Sequence, residues 1–205
     1  MNYKTKKIAD IICKLIILQV LLIFWKIILG KLFVNQDNFA EKMITMSGMI
    51  ILTLFIIAFS WKSKTALSFY PEKFSRKYLI GSMIALIFLC ATPSNYVEGI
   101  RGPIMLLYGS IVTPLYEELL FRGYVWNQLE NIYDKSNKII WINAVLFSIW
   151  HLGYIITPLI AGEWMALSKL VIGFIYGIII GFIRFKTKNC YSTFLVHGVL
   201  NSFLG

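Results

Sequence analysis

Residues 113–123 read Thr113-Pro114-Leu115-Tyr116-Glu117-Glu118-Leu119-Leu120-Phe121-Arg122-Gly123 and close an apolar run that begins near Pro103. Two adjacent carboxylates and an arginine are costly there, since one uncompensated charge at a bilayer centre is disfavoured by roughly 2.5–3.5 kcal/mol on insertion scales. Such residues persist in membranes when they face a partner or a wet cavity, and they mark functional sites by default. The two histidines of the chain, His151 and His197, also fall inside apolar runs. The rare titratable groups thus collect where each is least stable alone.

Composition identifies the solvent. Of 205 residues, 58% are hydrophobic and 15% charged, with a mean hydropathy of +0.72. Soluble domains sit nearer about 45–50% apolar and about 25% charged. The expected fold is an all-α, polytopic transmembrane helical bundle forming a single integral membrane domain over residues 1–205. Seven apolar segments can be drawn, at about 8–29, 43–61, 78–92, 103–121, 139–160, 170–184 and 190–204. The third, sixth and seventh are short of the roughly 20 helical residues that span a hydrocarbon core. The first follows Lys4, Lys6 and Lys7 and lacks a small-residue cleavage site, so it reads as a retained signal anchor.

A formal charge of +10 suggests nucleic acid in a soluble protein, but in a membrane protein its distribution matters more. Basic residues precede segment one and crowd the connections after segments two (Lys62, Lys64, Lys73, Arg76, Lys77), four (Arg122, Lys135, Lys138) and six (Arg184, Lys186, Lys188). The intervening connections hold Lys31, Lys42, Arg101 and Lys169. This alternation predicts a cytoplasmic amino terminus and about seven spans. The partner is therefore a lipid bilayer, the bacterial cytoplasmic membrane by the isoleucine- and lysine-rich composition, and no nucleic-acid partner is expected. Lys14 and Lys26, inside the first run, read as snorkelling side chains. Trp61, Tyr70, Tyr124, Trp126, Trp141 and Trp164 read as an interfacial belt. Cys13, Cys90 and Cys190 are too dispersed for a disulfide framework or a thiolate metal site.

Successive helical residues point about 100° apart, so Glu117 and Glu118 cannot share one role. Glu118 precedes Arg122 by four residues, the favoured spacing for an ion pair on one helical face. That leaves Glu117 as the candidate general base, its pKa raised by an apolar setting and a like charge beside it. Should segment four meet the cytoplasm near Tyr124, Glu117 lies roughly 11 Å inside. His197 and Asn201 are one turn apart and can point into one cavity, where both can donate hydrogen bonds to an oxyanion. His151 can share a water with Glu117. Ser148 is expected to bond within its own helix rather than act as a nucleophile. Glu117, His151 and His197 together could hold Zn2+, although no His-Glu-x-x-His pair is present, so the favoured reading needs no cofactor and assigns no metal.

Glu-Glu-x-x-x-Arg at Glu117, Glu118 and Arg122, Phe-x-x-x-His at Phe147 and His151, and His-x-x-x-Asn at His197 and Asn201, in that order on separate apolar segments, resemble the motifs of the CAAX protease and bacteriocin-processing family, also called the Abi family. The resemblance covers about residues 103–201. It implies an intramembrane endopeptidase with a cavity open to the cytoplasmic side, acting on a peptide or membrane-protein substrate near that face. In it Glu117 and His151 activate water, His197 and Asn201 stabilise the oxyanion, and Glu118, Arg122 and Phe147 support them. Members are described both as metalloproteases and as glutamate-dependent proteases. The alternatives are a non-catalytic bacteriocin immunity or scaffold protein binding a peptide in the same cavity, and a proton-coupled carrier, against which the chain shows no repeated halves.

Overall fold

The computed structural model describes residues 2–32, 37–93, 97, 99–134 and 136–204; Lys135 lies outside the described residues. Among the described residues all regular structure is helical and forms seven segments. They are α1 (Tyr3–Leu32), α2 (Asn38–Lys62), α3 (Arg76–Ala91), α4 (Arg101–Glu130), α5 (Ser136–Trp150, resuming after His151 as Leu152–Ile160), α6 (a 3-10 turn, Trp164–Leu167, leading into Ser168–Thr187) and α7 (Cys190–Leu204). All but α3 and α7 are long and apolar enough to cross a membrane. The sixth segment is 20 residues long as Ser168–Thr187, and the turn at Trp164 extends it. The third and seventh stay short, at 16 and 15 residues.

Helix ends follow local chemistry. Asp37 caps α2, its carboxylate accepting the Ala40 N–H at 2.9 Å. At the end of α6, Lys188 turns into the left-handed region with φ 60°, and its N–H returns to the Arg184 carbonyl at 2.9 Å. Between these ends the bundle is apolar outside, and its apolar core encloses a set of buried polar groups. Ile16, Phe24, Leu54, Phe55, Leu86 and Ile87 are exposed, while Glu117, Glu118, Arg122, Asn143, Arg184 and His197 are buried. Exposed aliphatic faces on so many helices match a hydrocarbon solvent rather than water.

Helix α4 is the axis of the bundle, packed by α2, α5 and α7. Every residue from Tyr116 to Trp126 is buried, so this stretch is covered on all sides, as in a core helix. Two wide, π-helical turns interrupt it, Tyr108–Val112 and Leu119–Val125, on either side of the glutamate pair. Such turns are local insertions that release backbone carbonyls from the helical ladder, and neighbouring helices use them. Asn143 donates to the Phe121 carbonyl at 2.8 Å, and Arg184 Nε donates to the Arg122 carbonyl at 2.9 Å.

Several expectations change here. Segment four does not stop near Arg122; it continues to Glu130, because Arg122 and Arg184 are internal partners rather than loop charges. Glu117 therefore lies about 20 Å from the Glu130 end at 1.5 Å per residue, near mid-bundle. Tyr124 and Trp126 are buried, whereas Trp61, Tyr70, Trp141 and Trp164 are exposed. Lys14 reaches Asp10 at 2.7 Å and the Tyr124 hydroxyl at 2.9 Å, and Lys26 lies 3.1 Å from Glu41, so both find protein partners. Ser148 donates to the Leu170 carbonyl of α6 at 2.7 Å rather than within α5.

The two ends of the bundle differ in charge. At one, the 63–75 connection meets α4 and α7: Asn127 bonds the Ala66 carbonyl and the Ser68 hydroxyl, and the Cys190 N–H bonds the Ser68 carbonyl at 2.9 Å. Lys4 and Lys138 both lie over the Tyr133 ring at this end. The lysine-rich connections are thus gathered together, as the alternation requires. At the other end, charges are balanced by ion pairs, Arg101 with Asp37 at 2.8 Å and Lys26 with Glu41.

Helices α5 and α6 pack tightly at Gly177, where an added Cβ would stand 2.7 Å from Ala144 Cα. Gly177→Val should lower stability by about 1–3 kcal/mol through overpacking. Gly81→Ala on α3, where a Cβ meets nothing within 4 Å, should not. Thermal unfolding of the two variants in detergent, side by side, checks the difference.

Candidate active site

The centre of the site is a buried charge cluster. Glu118 Oε1 lies 3.3 Å from Arg122 Nη1, and both side chains have no exposure. The same oxygen lies 2.9 Å from His197 Nδ1 on α7. The guanidinium stacks 4.2 Å from the Phe147 ring of α5. Phe147 also meets the rings of His151 and His197 edge-on, at centroid separations of 4.9 and 6.0 Å. Glu118 thus does more than pair with Arg122; it also fixes the His197 ring.

That bond determines where the other ring nitrogen points. His197 Nε2 lies 3.8 Å from Glu117 Oε2. A carboxylate only accepts, so Nδ1 carries a proton and the ring presents Nε2 toward Glu117. His151 is oriented differently: its Nδ1 is 2.8 Å from the Phe147 carbonyl. A carbonyl only accepts, so Nδ1 carries a proton and, in the neutral ring, Nε2 presents a lone pair. His151 sits at the break in α5, where the first stretch ends and Leu152–Ile160 begins.

Asn201 donates to the Gly109 carbonyl at 2.9 Å, inside the first wide turn of α4. The neighbouring Gly198 packs directly on the Ser110 carbonyl, a contact only glycine allows. With one amide hydrogen used, Asn201 keeps the other and its carbonyl for a ligand.

Glu117, Phe147, His151, His197 and Asn201 line one cavity of about 730 Å³. The three motif stretches therefore converge, Phe147 included. Two participants were not singled out from sequence. Tyr154 donates toward Glu117 Oε1 at 3.4 Å and accepts from Trp150 Nε1 at 3.2 Å. The available signal was its position three residues after His151, on the same helical face. Tyr108 joins the wall from the first wide turn, which no sequence pattern announces.

Among the described residues no three His, Cys, Asp or Glu side chains gather as a metal-binding group. Glu117, His151 and His197, the set considered for Zn2+, share the cavity without forming such a group, and the Nδ1 of each histidine is engaged while Nε2 is left without a hydrogen bond.

Tyr108, Tyr154, Ser168 and Lys169 also line the cavity, and of these Ser168 and Lys169 are exposed. Between Glu118 and the lysine-rich end stand Phe121, Arg122, Trp126, Asn143, Phe147 and Arg184, each no more than 2% exposed.

Three comparisons with known proteins bear on this geometry. The UPF0177 protein YxdF of Lactococcus lactis subsp. lactis (strain IL1403) is similar, with 32% identity over 95 residues. The aligned part is 46% of this chain and 45% of that relative, so the match spans about half of each. No solved structure matches the chain. The family described as type II CAAX prenyl endopeptidase Rce1-like matches residues 100–203, the half that holds the glutamate pair, both histidines and Asn201. By that match the chain belongs to the Rce1-like family, and it is an integral membrane protein.

Proposed function

We propose that the chain is an intramembrane endopeptidase that hydrolyses a peptide bond at the level of Glu117. The observation that carries this reading is the pair of contacts made by His197: Nδ1 held by Glu118 at 2.9 Å, and Nε2 3.8 Å from Glu117 in a cavity shared with His151 and Asn201. Glu117 is the general base. It takes a proton from a water that the His151 Nε2 lone pair orients, and the resulting hydroxide adds to the substrate carbonyl. The negative charge that develops on the carbonyl oxygen is met by the free Asn201 N–H and by the Nε2–H of a His197 that carries a proton on each ring nitrogen. The proton on Glu117 then passes to the leaving nitrogen, the C–N bond breaks, and the carboxylate is regenerated.

Tyr154 positions Glu117 through its hydroxyl and is itself held by Trp150. Glu118 and Arg122 do not touch substrate. Their part is to keep His197 aimed, and Phe147 supports both the guanidinium and the two imidazoles. The substrate is a peptide or membrane-protein segment, taken up in a bilayer. No metal participates in this scheme.

Glu117→Gln keeps the shape of the site and removes the base. Proteolysis should fall about 10²–10⁴-fold with little change in unfolding temperature. A purified variant that still cuts co-encoded small peptides, with products read by mass spectrometry, counts against the mechanism; a chain that only binds peptide would show no cleavage in wild type either. Glu118→Gln behaves differently, since it strands Arg122 as a buried unpaired charge. It should cost about 3–5 kcal/mol of stability as well as activity. Adding Arg122→Met should recover stability while activity stays low, separating the structural from the chemical contribution in a pair of melts and assays. Cleavage by the wild-type protein should persist in excess chelator.

A further inference from the structure

Helix α3 docks mainly on α7 and has a single buried residue, Ala85. Between the two helices runs an apolar groove of about 540 Å³, walled by Ile84, Ala85 and Phe88 on one side and by Leu195, Val196 and Val199 on the other. At Gly81 the groove is open, since a Cβ added there meets nothing within 4 Å. Leu195, Val196 and Val199 occupy the face of α7 turned away from His197 and Asn201, which line the catalytic cavity. The groove and the active site are therefore separate, with α7 between them.

At its lysine-rich end the groove meets a second cavity, of about 510 Å³, formed with the 63–75 connection; Tyr78 and Thr187 line both. The chemistry changes across that junction. Lys77 lines the groove, Lys73 and Lys188 line the second cavity, and all three are exposed. None of them enters an ion pair among the described residues. Glu72 is the one carboxylate in the lining, so three ammonium groups stand against a single acid. The Tyr78 hydroxyl accepts from Asn189 Nδ2 at 2.9 Å and keeps its own proton for an acceptor at the junction.

An apolar slot that runs into a cationic compartment matches an amphiphile, with hydrocarbon in the slot and an anionic headgroup among the lysines. Basic pockets between transmembrane helices hold anionic headgroups in this way, each lysine contributing roughly five-fold in affinity. A helix of a second chain would fill the slot but leave the lysines without a counter-charge. Free phosphate would neutralise the lysines but leave the slot empty. We propose that the α3–α7 groove and the adjoining compartment bind an anionic phospholipid, with an acyl chain along Gly81 and Val199 and the phosphate at Lys73, Lys77 and Lys188. The site is independent of the reaction at Glu117.

The test weighs the intact full-length protein by native mass spectrometry after exchange with dioleoyl phosphatidylglycerol or dioleoyl phosphatidylcholine, which share chains and differ in headgroup charge. Expected is a phosphatidylglycerol adduct that survives collisional activation at which phosphatidylcholine is lost. Lys73→Gln with Lys77→Gln should weaken phosphatidylglycerol binding roughly 25-fold, whereas Lys73→Arg with Lys77→Arg should retain it. Gly81→Leu, which fills the slot where there is room, should abolish it. Lys4→Gln with Lys6→Gln removes the same charge outside the site and should change nothing. Equal retention of the two lipids overturns the proposal, as does an adduct that survives in the glutamine pair at Lys73 and Lys77 or in Gly81→Leu. Binding of glycerol 3-phosphate as tight as that of the lipid also overturns it, and so does a dimer that Gly81→Leu dissociates, because a second copy then occupies the slot. Should Gly81→Leu fail to fold, the lysine variants and the two-lipid comparison decide on their own.

Discussion

The bond between Glu118 and His197 is the constraint on which the rest depends. Glu118, Arg122 and His197 are all buried, and each is unfavourable in an apolar interior without its neighbours. Together they form a chain of contacts running from a guanidinium on an aromatic face, through a carboxylate, to an imidazole. Because Glu118 and Arg122 belong to α4, Phe147 to α5 and His197 to α7, the contacts among these groups and the docking of three helices are one event. A displacement of any helix would expose a charge to hydrocarbon. The polar groups therefore specify the arrangement, even where apolar packing of equal volume would match them in stability.

From that fixed point the reactive atoms follow. Glu118 occupies one nitrogen of His197 and so directs the other toward Glu117. The Phe147 carbonyl does the same for His151, and the Gly109 carbonyl for Asn201. In each case a group with no freedom to donate selects which atom faces the cavity. Preorganisation of this kind holds the donors and acceptors in place before substrate arrives. The lipid-facing aliphatic shell serves the same purpose indirectly, by keeping water out of every face but the cavity.

Much of this was legible in the sequence, and the parts that were not share a physical cause. The helical class, the alternation of ends and the three motif stretches followed from hydropathy, charge bias and spacing. The residues Glu117, His151, His197 and Asn201 could be drawn together because polar groups in apolar runs have few places to go. Arg122, Arg184, Tyr124 and Trp126 were misplaced because a charge or amphipathic ring near a segment end looks the same whether it meets head groups or a partner helix. Only the tertiary neighbours, the Phe147 ring for Arg122 and the Asn127 side chain for Arg184, separate the two. Tyr154 and the carbonyl acceptors were invisible for a related reason: they depend on which helices are adjacent and on backbone geometry that residue type does not encode.

The wide turns of α4 carry a consequence for how this helix can vary in length. Each holds surplus backbone relative to a regular helix, and residues Thr113–Glu118 are suspended between them. A wide turn accommodates one residue more than regular winding would, so losing that residue closes the turn with little rotation of its flanks. What would be lost are acceptors: the Gly109 carbonyl that holds Asn201, and the Phe121 and Arg122 carbonyls that hold Asn143 and Arg184. The extra residue in each turn thus serves as a socket for neighbouring helices rather than as slack.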